Sequence, residues 1–211
     1  MALIDERGKK VITEQELHGA SEDDRLRIDS AAIVTPLAQD LARERGIQIE
    51  RVSRGSPWKK YRIAIGADHG GYEAKESLKA LLAELGHDFR DFGTNSTEAV
   101  DYPDFAHVVA IAVGRGHFDL GIVLDGAGIG SCMAANKVPG VRAAMCYDAA
   151  SARNSREHND ANVLTLGAKM LPIESLREIA KVWLSTSISE DRHRRRVEKI
   201  GAIEEKYLRD R

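Results

Sequence analysis

The sequence predicts an α/β fold over residues 61–211. Three observations carry that expectation: short apolar runs alternate with longer amphipathic segments, glycine loops follow the runs, and apolar positions in the longer segments repeat at helical spacing. The strand candidates are 61–67, 87–92, 120–124, 141–147 and 162–166. Between the first two, Leu78, Leu81, Leu82 and Leu85 form a helical stripe that Gly86 terminates. Further helices are expected at 104–113, directly after the loop Gly126-Ala127-Gly128-Ile129-Gly130, at 173–184 and at 191–208. Strands joined through helices in this way give a Rossmann-like, three-layer α/β/α domain with a five-stranded parallel sheet. Parallel crossovers are right-handed, so the loops that follow the strands gather on one edge, where open α/β sheets bind ligands.

Residues 1–60 read as a separate extension and linker. Thr13 and Glu16 have the spacing of a capping box and open a short helix at Glu14. Thr35 as N-cap, Pro36 at the first helical position, apolar Leu37 and Leu41, and Gly46 as terminator define a second helix. A strand-like Ile47-Gln48-Ile49 follows it, and the turn-rich Ser53-Arg54-Gly55-Ser56-Pro57 is the expected linker. The extension is therefore expected to be a short helix-and-strand piece.

Composition narrows the function. A chain of 211 residues that is 43% hydrophobic and 30% charged holds one main domain plus an appendage. Lys and Arg total 31 against 33 Asp and Glu, a net charge of -2, so there is no broad cationic field for nucleic acid, although a small anion needs only a local cluster. Cys132 and Cys146 have no CxxC partner, which argues against a disulfide framework and a zinc site. Cys132 and Met133 lie in an apolar segment and are expected to pack. The charged N-terminus lacks the apolar core of a signal peptide, and no apolar run is long enough to cross a bilayer. The expectation is a cytoplasmic protein without a membrane or nucleic-acid partner and without a metal.

Four segments fall on the ligand-binding edge or are expected to reach it: Asp68-His69-Gly70-Gly71, Asp125 through Gly130, Arg156 through Asp160, and Arg192-His193 with Arg196. The loop Gly126, Ala127, Gly128, Ile129, Gly130 follows a strand and opens a helix, so its amides can face an anion or a developing oxyanion. A nicotinamide cofactor is not expected, because the dinucleotide fingerprint belongs after the first strand, where this chain has DHGG. Arg192 and Arg196, four residues apart on a helix, suit a phosphate, and the alternative is a solvated helix face. His69 follows a strand end and is a candidate ligand, while Asp68 beside it is a candidate cap for the next helix. His158, in a polar run, reads by itself as structural or surface.

These residues resemble the type B ribose-5-phosphate isomerases, a family that also includes allose-6-phosphate and galactose-6-phosphate isomerases. The resemblance covers residues 61–209 and rests on five motifs in order: GADHGGY at 66–72, DYPDFA at 101–106, GAGIGSCMAANK at 126–137, ARNSREHNDANVL at 152–164 and DRHRRRVEKI at 191–200. It implies interconversion of ribose 5-phosphate and ribulose 5-phosphate through an enediolate, within the pentose phosphate pathway. The same reaction on allose 6-phosphate, galactose 6-phosphate or a tetrulose phosphate, and sugar-phosphate binding without turnover, are the alternatives. It implies that His158 assists ring opening and that Asp68 and Tyr102 lie near the substrate hydroxyls or ring oxygen. His69, Arg192 and Arg196 would contact the phosphate, with Lys169 of the partner subunit added. Asn159 and the amides of Gly126 to Gly130 would stabilise the enediolate. No cofactor or metal is implied, and the family's active sites lie between subunits of homodimers or homotetramers.

The chain departs from the family where the proton-transferring base belongs. Many members carry a cysteine at position 125 and others use a glutamate at 131, whereas this chain has Asp125 and Ser131, with Ala127 where a hydroxyl residue is frequent. Asp125 can serve as the base if burial strengthens it, or it can cap the glycine loop by accepting its amide hydrogens. The catalytic reading is preferred. Residues 30–50, SAAIVTPLAQDLARERGIQIE, are similar to short segments attached to enzymes of bacterial microcompartments, which implies a role in cargo or assembly; the alternative is a piece that packs on the isomerase and stabilises it.

Overall fold

The protein is described by a computed structural model that covers residues 3–6, 9–52 and 59–209. It divides into two compact units, 1–57 and 58–211. The expected linker at 53–57 lies outside the described residues.

The N-terminal unit contains more strand than its sequence suggests. Its elements are β1 (Leu3–Asp5), β2 (Val11–Ile12), a 3₁₀ turn (Glu14–Leu17), β3 (Arg25–Asp29), β4 (Ile33–Val34), α1 (Pro36–Glu44) and β5 (Gln48–Val52). Strands β1, β3 and β5 form a parallel sheet with β3 central, and β2 pairs with β4. The unit has its own core, in which Ile12, Leu17, Leu26, Ile28, Ala38 and Ala42 are buried together. The expectation of a short helix-and-strand piece is thus corrected to a small parallel unit with its own apolar centre. The capping box is present: the Thr13 amide donates to Glu16 Oε2 at 2.7 Å. Hydrogen bonds from the Thr13 amide and hydroxyl and from Lys9 pull the Glu16 carboxyl down to about 2.

The C-terminal unit is the expected three-layer domain. It runs β6 (Arg62–Ala67), α2 (Tyr72–Glu84), β7 (Asp88–Asp91), α3 (Tyr102–Gly114), β8 (Leu120–Asp125), α4 (Ile129–Ala135), β9 (Ala143–Met145), α5 (Ala149–Asn159), β10 (Val163–Gly167), α6 (Ile173–Ser185) and α7 (Asp191–Arg209). The sheet order is β7-β6-β8-β10-β9, with every neighbouring pair parallel. Period-two alternation sorts the strand residues into two layers. Ile63, Ile65, Ile122, Leu124, Leu164 and Leu166 pack against helices α2 and α6 through Leu78, Leu82, Ile179 and Trp183. Ala64, Val123 and Val163 face α3 and α4 through Val109, Ala110 and Ala135.

Glycine is required where backbone meets backbone. A Cβ on Gly71 would lie 2.5 Å from the carbonyl oxygen of Leu124, at the end of the central strand. Gly71→Ala therefore pushes the Asp68–Gly71 loop off the sheet and should cost about 3 kcal/mol, the upper part of the range for overpacking. Urea unfolding measures this; a change below about 0.5 kcal/mol, the size of an ordinary surface substitution, would mean the loop moves freely.

Candidate active site

The carboxyl-terminal ends of the strands assemble one half of the expected site. Asp68, buried after β6, accepts the Gly71 amide on Oδ1 at 3.0 Å. Next to it, His69 places Nδ1 3.2 Å from both the nitrogen and the oxygen of Val100, which leaves Nε2 as its outward atom. Tyr102, the first residue of α3, lies against the glycine loop so closely that a Cβ on Gly130 would come within 2.5–2.7 Å of its ring and hydroxyl. Lys169, after β10, donates its amide to the Gly126 carbonyl at 3.0 Å and lies across Gly70 and Gly126. His69 and Lys169 of one chain therefore share an edge, whereas the resemblance draws Lys169 from the partner subunit.

Asp125 ends β8 with 4% of its surface exposed. Its Oδ1 accepts the amides of Ala127, at 2.8 Å, and Gly128, and Oδ2 accepts that of Ser131 at 3.0 Å. This is the capping geometry, and it corrects the expectation that the whole row of loop amides faces the substrate: those of Ala127 and Gly128 already serve Asp125. Oδ2 accepts a single amide and keeps a further lone pair. The loop is locked from beneath as well. Gly128 adopts φ 79°, and a Cβ there would meet the Gly167 nitrogen at 2.9 Å. Tyr147, after β9, donates its hydroxyl to the Ala127 carbonyl at 3.0 Å.

The remaining expected residues lie on the opposite edge. Helix α5 starts beyond the carboxyl end of β9 and returns alongside the sheet, so Asn159 and Asp160 arrive at the strand beginnings. There Arg142, which precedes β9, donates to the Asn159 carbonyl at 3.2 Å and the Asp160 carbonyl at 2.8 Å. A polar cavity of about 610 Å³ on this edge is lined by Tyr61, Leu120 and Asn162 beside β6, β8 and β10, and by Arg156, Asp160 and Arg194. His158 stacks on His193 of α7, with ring centroids 4.2 Å apart and planes 18° apart. Arg192 and Arg196, on the same opening turns of α7, are exposed, and Arg192 pairs with Glu190 at 2.5 Å. Strand β8 has 6 residues and spans about 17 Å at ordinary strand rise. The expectation that all four segments fall on or reach one edge is corrected: within this chain two sit at each edge.

A sequence profile of the ribose/galactose isomerase family matches residues 63–200. The chain belongs to this family. Ribose-5-phosphate isomerase B of Escherichia coli is 43% identical over 145 residues, covering 69% of this chain and 97% of that protein. D-erythrulose-4-phosphate isomerase of Pectobacterium atrosepticum is 40% identical, covering 67% of this chain and 94% of the relative. The structure of ribose-5-phosphate isomerase B from Clostridium thermocellum, 49% identical, superposes with a TM-score of 0.68 and covers 69% of this chain and 99% of that one. The chain is thus an isomerase of this family with an additional N-terminal unit.

Several contributors escaped the sequence reading. Tyr147 follows a strand end, so the topological rule could have singled it out, and Asn154 stands one helical turn before His158. Lys75 gives no such signal: it is fully buried and binds Asp91 at 2.5 Å. Burial acts to raise the Asp91 carboxyl, but hydrogen bonds from Lys75, Lys79 and the Gly93 amide outweigh it and hold the carboxyl below the usual range. Met133, expected to pack, is 64% exposed on α4.

His193 is 2% exposed, and burial, His158, Arg192 and Arg196 lower its pKa against the opposing effect of Glu190. A lowered imidazole pKa means that the unfolded chain binds the proton more readily, so stability falls as pH drops below the ordinary histidine value of about 6.5. His87, lowered by burial, acts in the same sense. Replacing His193 by Phe should therefore remove part of the stability loss seen between about pH 7.5 and 5.5. Equal losses in the two proteins, followed by urea unfolding, would show that His193 contributes none of it.

Proposed function

We propose that the protein is an aldose–ketose isomerase interconverting ribose 5-phosphate and ribulose 5-phosphate through an enediolate. The match of residues 63–200 to the ribose/galactose isomerase family carries this reading, and the E. coli and C. thermocellum relatives bear the name ribose-5-phosphate isomerase B. The P. atrosepticum relative favours a second reading, the same proton transfer on a four-carbon sugar phosphate. Allose 6-phosphate and galactose 6-phosphate complete the substrate class.

In this reading the free lone pair of Asp125 Oδ2 takes the proton from C2 of the open-chain aldose. The enediolate forms, a proton passes from the O2 hydroxyl to O1, and the same carboxyl returns the carbon-bound proton to C1. His158 assists ring opening, and Asp68 and Tyr102 meet the hydroxyls or ring oxygen. The phosphate is held by His69, Lys169, Arg192 and Arg196, which supply positive charge and hydrogen-bond donors. Asn159 and the loop amides not engaged by Asp125 stabilise the enediolate. No cofactor takes part.

These residues work together only if the two edges come from two copies of the chain, in a homodimer or a homotetramer built from such pairs. Exposed apolar side chains support this assembly: Ile129 and Met133 lie on α4, and Ile200, Ile203 and Tyr207 on α7 beside a groove of about 560 Å³ that includes Pro139 and Val141. Among the described residues no helix is long and apolar enough to cross a membrane. We place the enzyme in the cytoplasm, with the N-terminal unit, which has its own core, as an assembly piece for a bacterial microcompartment.

The test is conversion in deuterated water, followed by NMR. The wild type should convert ribose 5-phosphate with solvent deuterium at the alpha carbon, and Asp125→Asn, folded by circular dichroism, should lose roughly 100-fold or more in kcat. Nearly full turnover by the variant would remove Asp125 as the base. Binding of every sugar phosphate without conversion by the wild type would make it a binding protein.

A further inference from the structure

His158 is held on two sides, by Asn154 and by His193, neither of which has a role towards the substrate in the proposed function. One turn earlier on α5, Asn154 places its amide nitrogen Nδ2 2.9 Å from His158 Nδ1. With the amide turned so that its NH₂ faces the ring, it donates and Nδ1 accepts, which places the ring's own proton on Nε2. On the ring face lies His193, stacked at 4.2 Å and buried, with no hydrogen-bond partner on either ring nitrogen. The charged groups around this stack are Arg192 and Arg196 on α7 and Glu190 just before it, whose carboxylate stands 4.0 Å from His193 Nε2.

We propose that Asn154 and His193 are positioning residues that hold His158 in the Nε2–H tautomer, so that the substrate meets an N–H donor rather than an imidazole lone pair. Asn154 selects the tautomer through its hydrogen bond, and the His193 ring fixes the plane in which Nε2–H points. The value of this to turnover rests on the reading of His158 as a ring-opening residue; the tautomer itself does not.

Nitrogen-15 spectra of the full-length, imidazole-labelled protein read the tautomer without any turnover, and a His158→Gln spectrum assigns the signals. The expected result near neutral pH is a protonated Nε2 and an unprotonated Nδ1. Asn154→Asp presents an acceptor and should move the proton to Nδ1; Asn154→Leu should leave a mixture. His193→Phe keeps the stack and should keep the tautomer, whereas His193→Ala should broaden or split the His158 signals. In turnover, Asn154→Asp should lower kcat toward the roughly 100-fold loss of a misplaced acid–base group, with KM little changed, and Asn154→Gln should restore part of it. A wild-type ring protonated on Nδ1, or a tautomer indifferent to Asn154→Asp, would overturn the proposal. If the tautomer behaves as stated and no sugar phosphate is converted, the proposed function fails and this inference stands.

Discussion

All five strands of the C-terminal sheet point the same way, and the rest of the molecule follows from that polarity. Parallel strands place every strand-to-helix loop at one edge and every helix-to-strand return at the other. Asp68, Asp125 and Lys169 leave strand ends and therefore meet. His158 and Asn159 close a returning helix, and the opening turns of α7 are tied to them by the histidine stack. A sheet of ordinary depth then separates Asp68, His69, Asp125 and Lys169 from His158, Asn159, Arg192 and Arg196 by more than any side chain can reach. In the proposed function these groups form two half-sites, which a second copy of the chain would join.

At the glycine loop the same economy of space controls the chemistry. Three backbone amides converge on one carboxylate, and that carboxylate belongs to the loop itself. An anion in the nest satisfies donors that would otherwise be orphaned in a buried turn, so the loop is shaped before any ligand arrives. Gly128 allows the left-handed turn and the close approach to Gly167, while Tyr147 fixes the Ala127 carbonyl from the side. Asp125 is thereby rigid, with one oxygen doubly engaged and the other partly free. For the proposed role of Asp125 as base, this hold trades mobility for position, which is the exchange that proton transfer between neighbouring carbons rewards.

The C-terminal layers were legible because their signals are strong. Strands such as Ile63–Ile65 are continuous apolar runs, and the leucines of α2 repeat at 3.6-residue spacing. Of the N-terminal strands only β5 was legible, from Ile47-Gln48-Ile49; β1 has 3 residues and β2 and β4 have 2 each, too few for any period to show. Helix α5 hid for the opposite reason: its sequence AASARNSREHN carries no apolar stripe, and it is held by a capping box at Asp148 and by Ala152 in the core. Without that helix the direction of the chain at His158 could not be followed, and its edge was misplaced. The chemistry of Asp125 was legible as a choice of two roles, and coordinates were needed to see its oxygens turned into the loop.

Active-site complementation tests the split site most directly. His69→Ala disables the half-site at the strand ends, and Arg196→Ala disables the half-site at the strand beginnings. Each variant alone should be folded and nearly inactive. After mixing and subunit exchange, mixed pairs contain one intact site, and turnover should recover to roughly a quarter of wild type, as expected for random pairing in a two-fold dimer. No recovery, with mixed pairs present by mass spectrometry, would contradict the account and mean that the working site lies within a single chain.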